Sequence, residues 1–431
     1  MADTRTIKVE ALARVEGEGS LSVKIRDGQV KELRFGIFEP PRFFEAFLKG
    51  RDFREVPDIT ARICGICPIA YMMGATQAME AILGLTVTRP IRDLRRLVYC
   101  GEWIESHALH VYMLHAPDFL GLSDALELAA VDRSLVEKAL RLKKIGNDIL
   151  EVVGGGRAIH PVNLRVGGFY KAPSRRAIAA LADDLKWAVE TSVETVRLVG
   201  GFDFPDIRQD YNFMALRHPD EYAIHEGRLV TSQGLDIPVS AFLDHVEEEH
   251  VPWSNALHGY ARNGSAHHVG PLARYNLNYD KLGDTARAAA TAAGLGPEVR
   301  NPFQSIVVRA VELVQVCEDA LALVQGYREP DAPFVEADIR AGEGHGCTEA
   351  PRGICYHRYR IDKDGGVLDA RIVPPTAQNQ KVIELDLAKV VQANLDQPDD
   401  TIKWRAEQAI RNYDPCISCA THFLRLDMDR G

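Results

Sequence analysis

The chain has 431 residues, more than one hydrophobic core usually fills, so we expect several packed sub-cores. Its composition, 46% hydrophobic and 26% charged, is that of an ordinary globular protein. The formal net charge of -10 argues against nucleic acids and anionic membranes as partners, because both would be repelled. The sequence has no apolar run of about 18 residues and no apolar leader at its start, so we expect no transmembrane segment and a cytoplasmic location.

The first part of the chain alternates between apolar and polar residues, which predicts a small antiparallel sheet. The alternation covers residues 7–10, 21–25 and 30–35, and Asp27-Gly28 is a hairpin signal. Helical spacing starts near residue 42 and recurs at 68–83, 91–114, 126–151, 174–200, 299–327 and 401–412. A second hairpin is predicted at 354–373. The predicted fold class is therefore mainly α with small antiparallel β additions (α+β).

No internal repeat and no long polar linker divides the chain. We predict a single domain over 1–431, made of an N-terminal sheet region at 1–60, a long helical bundle at 61–330 and a C-terminal region at 331–431. The Gly-rich segment at 342–346 lacks the Lys-Ser/Thr pair of a phosphate-binding loop, and we expect it to permit close backbone approach near Arg352. No Gly-X-Gly-X-X-Gly follows a strand, which argues against NAD or flavin binding on this chain.

Two Cys-X-X-Cys pairs near opposite ends of the chain are its most informative motif. Cys64 and Cys67 precede Pro68, which suits the first turn of a helix. Both sulfurs should therefore lie at a helix N-terminus, where unpaired amides favour the thiolate that binds metal. Cys416 and Cys419 form the second pair. The arrangement predicts that the two ends of the fold converge on one metal site.

On spacing alone, a structural zinc held by four thiolates is the first interpretation, and an iron-sulfur cluster is another. Structural zinc modules, however, bring their two pairs together over about 12 to 20 residues. Here nearly the whole chain separates the pairs. This separation favours a functional centre over a structural metal.

The residues around both pairs resemble the paired signature of nickel-iron hydrogenase large subunits. The two halves are Arg-Ile-Cys-Gly-Ile-Cys-Pro at 62–68 and Asp-Pro-Cys-Ile-Ser-Cys-Ala-Thr-His at 414–422. Three more segments match: Arg-Val-Glu-Gly at 14–17, Glu-Ala-Phe-Leu-Lys-Gly-Arg at 45–51 and Glu-Ala-Pro-Arg-Gly at 349–353. The resemblance leans towards the cytoplasmic, multi-subunit NAD(P)-linked or sulfhydrogenase branch. It implies heterolytic cleavage and formation of dihydrogen.

The resemblance also implies a nickel-iron centre whose iron carries carbon monoxide and cyanide. Cys64 and Cys416 would be terminal nickel ligands, and Cys67 and Cys419 would bridge the two metals, in keeping with the affinity of soft thiolates for nickel. Heterolytic cleavage of dihydrogen needs a base close to the nickel. Two groups are candidates for assisting, the Cys416 thiolate and the side chain of Arg352.

Five further residues have roles implied by the resemblance. Glu16 would relay protons away from the nickel. Arg352 and Asp414 would lie over the metals and orient their ligands. Glu45 and His422 would bind a magnesium ion. An exposed strand glutamate remains an alternative for Glu16, and a solvated helix face remains one for Glu45.

Several positions depart from the family pattern. Tyr71 and Glu18 stand where histidine is usual, and Ser106 stands where others carry an aspartate over the site. None of the three is a metal ligand in the implied site. Residues 423–431 follow the histidine at which mature relatives end. We expect them to form a maturation extension that a nickel-dependent protease removes.

The remaining cysteines are too scattered for an iron-sulfur relay, and we expect them to be packed thiols: Cys100, Cys317, Cys347 and Cys355. Electrons must therefore leave through another polypeptide. The resemblance implies a small iron-sulfur subunit and, in this branch, flavin/NAD(P)-binding and ferredoxin-like subunits, so that iron-sulfur clusters and flavin lie only on partners. It also implies a maturation protease and nickel chaperones.

Two other functions remain as alternatives. One is a non-catalytic quinone-module subunit of the complex I type, although those relatives have lost the four cysteines. The other is a large scaffold with a structural zinc. The sequence leaves open whether NAD, NADP, a deazaflavin or polysulfide is the final electron partner.

Overall fold

The structure is a computed structural model that describes residues 4–421. Its first part is the predicted antiparallel sheet. Its strands β1 (Thr4–Val9), β2 (Gly19–Arg26) and β3 (Gln29–Ile37) pair in chain order. Asp27 and Gly28 make the turn between β2 and β3 with φ angles of 51° and 70°, as an Asp-Gly hairpin turn requires. Alternate residues of β2 point into the core: Leu21, Val23 and Ile25.

Helices then form the centre of the molecule. In chain order they are α1 (Phe44–Leu48), α2 (Val56–Ala61), α3 (Pro68–Leu83), α4 (Arg89–Leu109), α5 (Ala116–Leu120), α6 (Ala125–Val131), α7 (Arg133–Gly154), α8 (Arg175–Ala179) and α9 (Ala182–Gly200). A π-helical turn, His110–His115, joins α4 to α5. α4 and α7 cross closely, because a Cβ atom on Gly146 would lie 2.6 Å from the carbonyl oxygen of Gly101.

The next part of the chain contains short strands that the sequence did not predict. They are β4 (Leu164–Arg165), β5 (Gly168–Phe169), β6 (Met214–Arg217), β7 (Arg228–Thr231), β8 (Asp236–Ile237), β9 (Val246–His250) and β10 (Leu257–Ala261). Two to five residues are too few to show a clear alternation. The helices of this part are α10 (Phe242–His245), α11 (Pro271–Asn278), α12 (Asp284–Ala292) and α13 (Ser305–Gln325).

The last part contains the predicted second hairpin, widened to three antiparallel strands. These are β11 (Gly342–Ala350), β12 (Gly353–Ile361) and β13 (Val367–Val373), and they are followed by α14 (Pro375–Gln392), α15 (Asp399–Arg411) and α16 (Ile417–Ala420). The glycines of β11 approach α3 and not Arg352. A Cβ atom on Gly344 or Gly346 would lie 2.1 Å from a carbonyl oxygen of α3. The expectation for residues 342–346 was therefore wrong about the neighbour.

One large hydrophobic core extends from Ile7 in β1 to Ala420 in α16. A smaller apolar cluster surrounds Phe242 and Tyr356, whose rings stack 4.3 Å apart. The predicted fold class, mainly helical with small antiparallel sheets, is confirmed. Between residues 4 and 421, no helix has both the length and the apolar character needed to cross a membrane.

Candidate metal centre

The first cysteine pair lies in the turn between α2 and α3. Helix α3 begins at Pro68, as predicted, and Cys67 is its N-cap residue. The free amides of this turn reach one sulfur only, because the N–H groups of Ile66 and Cys67 donate to Cys64 Sγ over 3.3 and 3.1 Å. The helix start therefore stabilises the thiolate of Cys64, whereas the sequence had led us to expect this for both sulfurs.

The second pair is held in place by the N-terminal segment. Cys416 forms a parallel β-bridge with Glu16, and the N–H of Ile417 donates to the carbonyl oxygen of Glu16 over 3.0 Å. The N–H of Cys416 donates to Thr376 Oγ1 over 3.0 Å. Gly17 has a φ of 90°, and a Cβ atom there would lie 2.7 Å from the Cβ of Ile417. A glycine at this position therefore allows the two segments to meet.

The four cysteine sulfurs form one compact cluster. Within the pairs, the Sγ–Sγ distances are 2.8 Å for Cys64–Cys67 and 2.6 Å for Cys416–Cys419. Between the pairs, they are 3.7 Å for Cys64–Cys416 and 4.0 Å for Cys67–Cys419. All four sulfurs lie within 4.8 Å of one another and are buried. The two ends of the chain thus meet at one buried site, as the sequence predicted.

The electrostatics of this cluster fit a bound cation. Burial raises the pKa of Cys64, but hydrogen bonds with the thiols of Cys416, Cys419 and Cys67 outweigh burial and hold that pKa well below its usual value. Contacts with Cys416 and Cys419 raise the pKa of Cys67 well above its usual value. Contact with Cys419 does the same to the pKa of Cys416, and burial raises the pKa of Cys419. A metal ion would remove this conflict, since it favours the thiolate form of every ligand, and soft sulfur donors suit nickel, iron or zinc.

Arg352 and Asp414 form a buried ion pair beside the sulfurs. Arg352 Nε donates to the carbonyl oxygen of Asp414 over 2.6 Å, and Nη2 lies 3.2 and 3.1 Å from the two carboxylate oxygens. Burial lowers the pKa of Arg352, but the carboxylate of Asp414 and the nearby cysteine thiolates outweigh burial and raise that pKa well above its usual value. Burial raises the pKa of Asp414. Arg352 therefore keeps a positive charge next to the cluster.

The carboxylate of Glu16 lies beside the second pair. Its Oε2 accepts a hydrogen bond from the N–H of Ser418 over 3.1 Å. The hydroxyl of Ser418 donates to Glu39 Oε2 over 2.8 Å, and Glu39 Oε1 accepts from the N–H of Glu18 over 3.0 Å. Two half-buried carboxylates, Glu16 and Glu39, thus contact Ser418, the residue directly before Cys419. This packing differs from that of an exposed strand glutamate.

Glu45 is largely buried and does not lie on a solvated helix face. Its side chain is 12% exposed, and Oε1 accepts from the N–H of Ile372 over 2.7 Å. Burial raises the pKa of Glu45, although the guanidinium of Arg371, 4.0 Å from Oε2, opposes this. The predicted partner His422 lies outside the described residues. The carbonyl oxygen of Thr421 accepts from a main-chain N–H just before α1 over 2.7 Å, so the described chain ends close to the helix that carries Glu45.

Glu102 on α4 is a buried acidic residue that sequence reasoning missed. Its carboxylate accepts from the N–H groups of Ile69 and Ala70 over 2.6 and 3.3 Å. It therefore caps the start of α3, directly behind the first cysteine pair. Burial raises the pKa of Glu102 well above its usual value. No local pattern could have linked this glutamate to residues more than 30 positions away.

Of the three residues that depart from the family pattern, Tyr71 and Ser106 are buried and Glu18 is exposed. Tyr71 packs edge-on against His357 with ring centroids 5.8 Å apart, and Ser106 lies within α4. Burial raises the pKa of Tyr71 well above its usual value, and the cysteine thiolates add to this. The cysteines outside the cluster are buried thiols, as predicted: Cys100, Cys317, Cys347 and Cys355.

Known hydrogenases are similar to this chain in sequence and in fold. Residues 42–153 match the family model described as nickel-dependent hydrogenase. Over 424 residues, the chain is 33% identical to Sulfhydrogenase 1 subunit alpha of Pyrococcus furiosus, covering 97% of this chain and 98% of that protein. Over 429 residues, it is 34% identical to Sulfhydrogenase 2 subunit alpha of the same organism, covering 97% and 100%. A crystal structure of an NAD⁺-reducing NiFe hydrogenase in the H₂-reduced state superposes with a TM-score of 0.89 at 27% identity, covering 98% of this chain and 100% of that chain.

Proposed function

The chain belongs to the nickel-dependent hydrogenases, as a large subunit, and on that premise we propose that it cleaves and forms dihydrogen at a nickel-iron centre held by its four clustered cysteines. The observation that carries this proposal is the buried group of four sulfurs, all within 4.8 Å of one another. Both ends of the chain supply these sulfurs, so the complete fold is needed to form the site. The chain is therefore the catalytic subunit.

Cys64 and Cys416 would be the terminal nickel ligands, and Cys67 and Cys419 would bridge the nickel to an iron with carbon monoxide and cyanide ligands. Each of these two pairings joins one cysteine from either end, in keeping with the 3.7 and 4.0 Å contacts between the pairs. Soft thiolates suit both metals. When bound, the centre supplies the Lewis acidity that polarises the H–H bond for heterolytic cleavage.

The chain's own residues would then remove the proton. Burial lowers the pKa of Arg352, but Asp414 and the thiolates raise it well above its usual value, so this guanidinium stays protonated and acts through its charge. This favours the Cys416 thiolate as the first proton acceptor. Glu16, whose main chain pairs with that of Cys416, would be the second proton acceptor. Glu39 would be the following proton acceptor, since Ser418 holds both carboxylates, Glu16 through its N–H and Glu39 through its hydroxyl.

We propose that Glu45 binds a magnesium ion, with His422 as a second ligand. A hard cation suits a carboxylate. Burial raises the pKa of Glu45. A neighbouring cation would offset this effect, because it favours the charged form of the carboxylate. The proximity of α1 to the last described residue, Thr421, supports this pairing.

Electrons would leave to a small iron-sulfur subunit. Among residues 4–421, the four cysteines are the one cluster of side chains suited to a metal, so a relay has to lie on a partner. Gly65, which lies between Cys64 and Cys67, is exposed. At this turn the chain that holds the site therefore reaches the surface. We propose that the iron-sulfur partner docks over Gly65.

We also propose further partner subunits, a cytoplasmic location and a set of maturation proteins. Flavin/NAD(P)-binding and ferredoxin-like subunits are supported by the likeness to an NAD⁺-reducing enzyme. A cytoplasmic location is supported by the eight cysteines, all of which are unpaired thiols. A maturation protease and nickel chaperones would assemble the centre.

The proposal is tested by producing the protein together with hydrogenase maturation proteins and its iron-sulfur partner. We expect equimolar nickel and iron, infrared bands of iron-bound carbon monoxide and cyanide, and dye reduction that depends on dihydrogen. Cys67→Ala should abolish all three, whereas Cys347→Ala, which removes a buried thiol outside the cluster, should retain them. If the protein holds zinc and no nickel, the proposal is wrong and the chain is a structural-zinc scaffold. Quinone binding without nickel would support the complex I-type alternative.

A further inference from the structure

Residues 349–353, named here the Arg352 turn, connect β11 to β12 and present Arg352 to the metal centre. Three successive carbonyl oxygens of this turn accept hydrogen bonds from buried side chains. Trp103 Nε1 donates to the carbonyl of Glu349 over 2.9 Å. Arg274 Nη1 and Nη2 donate to the carbonyls of Ala350 and Pro351 over 2.8 Å each. Arg274 therefore holds the two residues that directly precede Arg352.

The Arg274 side chain is held by two carboxylates and by the ring of Trp103. It has no exposed surface, and Nε and Nη2 donate to the two carboxylate oxygens of Glu312 over 2.8 Å each. Nη1 also donates to Glu349 Oε2 over 3.1 Å. The guanidinium stacks 4.1 Å from the ring centre of Trp103. All five N–H groups of this arginine thus have an acceptor, which fixes the position of its guanidinium. The fixed guanidinium in turn restricts the main chain of the Arg352 turn.

The main chain of α11, which carries Arg274, also touches the turn. Gly270 precedes α11 with a φ of 111°, and a Cβ atom there would lie 2.7 Å from the carbonyl oxygen of Arg352. Gly353 has a φ of 131°, and a Cβ atom there would lie 2.8 Å from the main-chain nitrogen of Gly270. Both glycines are needed for this approach. A shift of α11 is therefore transmitted to Arg352.

We infer that Arg274 is a positioning residue of the hydrogenase site, which sets the place of the Arg352 guanidinium relative to the four cysteine sulfurs. The inference rests on the role proposed above for Arg352. Lysine could replace the charge of Arg274 but not its planar set of five donors, so it cannot hold two turn carbonyls and two carboxylates at once. Arg274→Lys should therefore keep a buried cation and misplace Arg352.

A matched control is available on α4. Arg95 is as buried as Arg352 and makes a two-pronged contact with Glu80, over 2.9 and 2.5 Å. Glu80 in turn accepts from the N–H of Gly167, which is not part of the Arg352 turn. Arg95→Lys therefore disturbs a buried arginine-carboxylate pair of the same kind without touching the turn.

The test compares nickel-loaded Arg274→Lys, Arg352→Lys, their double variant and Arg95→Lys. Arg274→Lys should shift the infrared bands of iron-bound cyanide and lower turnover by roughly tenfold to a hundredfold. In the Arg352→Lys background, the same change should alter turnover by less than about twofold, since it acts through Arg352. Arg95→Lys should not move the bands. Trp103→Phe, which removes one hydrogen bond and keeps an aromatic ring, should shift the bands in a folded protein even if Arg274→Lys does not fold.

Three results would overturn the inference. The first is a set of unshifted bands in both Arg274→Lys and Trp103→Phe. The second is an equal shift in Arg95→Lys, and the third is an equal loss of turnover from Arg274→Lys with and without Arg352→Lys. Unchanged turnover in Arg352→Lys alone would instead refute the role proposed for Arg352, and the band positions would still report on Arg274.

Discussion

Asp118→Asn is the substitution that best tests how the two ends of the chain are joined. The carboxylate of Asp118 is buried and accepts from Nε and Nη2 of Arg411 over 2.7 and 2.8 Å. It also accepts from Nη2 of Arg14 over 2.5 Å. Arg14 lies two residues before Glu16, and Arg411 lies five residues before Cys416. One carboxylate therefore ties together the two segments that meet at the site.

The expected cost follows from the charges. With asparagine at position 118, the buried guanidinium of Arg411 and the part-buried guanidinium of Arg14 lose their shared counter-charge. Burial already lowers the pKa of Arg14 with the carboxylate in place. Breaking a buried ion pair on one side typically costs about 3–5 kcal/mol. The exposed pair Arg133–Glu137, whose side chains are 84% and 62% exposed, should contribute about 0–1 kcal/mol.

The measurement is the urea midpoint of unfolding for Asp118→Asn and for the control Glu137→Gln, with the dependence on denaturant compared as well. Asp118→Asn should lower the midpoint clearly more than Glu137→Gln and should reduce the fraction of protein that retains nickel. If Asp118→Asn destabilised the fold by no more than the exposed control, the junction would be an incidental contact. The argument that it holds the site together would then be refuted.

Three further predictions concern protons and processing. Glu16→Gln should lower turnover of dihydrogen about 10²- to 10⁴-fold and retain the metals, because the amide oxygen still accepts from Ser418 but cannot take up a proton; Glu18→Gln, at an exposed neighbour, should remain active. Burial raises the pKa of Asp386 from 3.8 to about 6, although hydrogen bonds from Tyr211, Tyr413 and Gln209 oppose it. The folded state therefore binds this proton more tightly than the unfolded state, and wild-type stability should fall by up to about 3 kcal/mol as the pH rises from about 4 to about 6. Asp386→Asn, unfolded beside the wild type at each pH, should lack that decline, and an equal decline in both would contradict the assignment. The intact mass of active enzyme should lack residues 423–431, and a full-length mass in nickel-loaded protein would contradict cleavage.

The cysteine pairs could be predicted because metal binding demands one residue type at a fixed spacing. Pro68 placed the helix start correctly for the same local reason, since its missing N–H fits the first turn. The thiolate state of each sulfur could not be predicted. It depends on which amide points at which sulfur, and the turn directs both amides to Cys64.

Long-range packing explains the elements that were missed or misassigned. Segment 342–346 was expected to approach Arg352, yet it forms the first part of β11, where the missing Cβ atoms let α3 pack closely. Strands as short as β4 and β8 have no periodicity to detect. Their pairing is decided by neighbours that local sequence does not identify.

The residues that support the site could be predicted in part, as the example of α13 shows. The sequence predicts a helix at 299–327, and eight of the eleven positions from 306 to 316 are apolar. A helix with so large an apolar surface is mostly buried, so charged residues within it need partners in the core. Arg309 and Glu312 are such residues: Arg309 Nη1 donates to the carbonyl oxygen of Asn412 over 2.8 Å, and Glu312 binds Arg274. Their importance could thus have been predicted from sequence, but their partners could not, because the nearer one is 38 residues away and the other is more than 100.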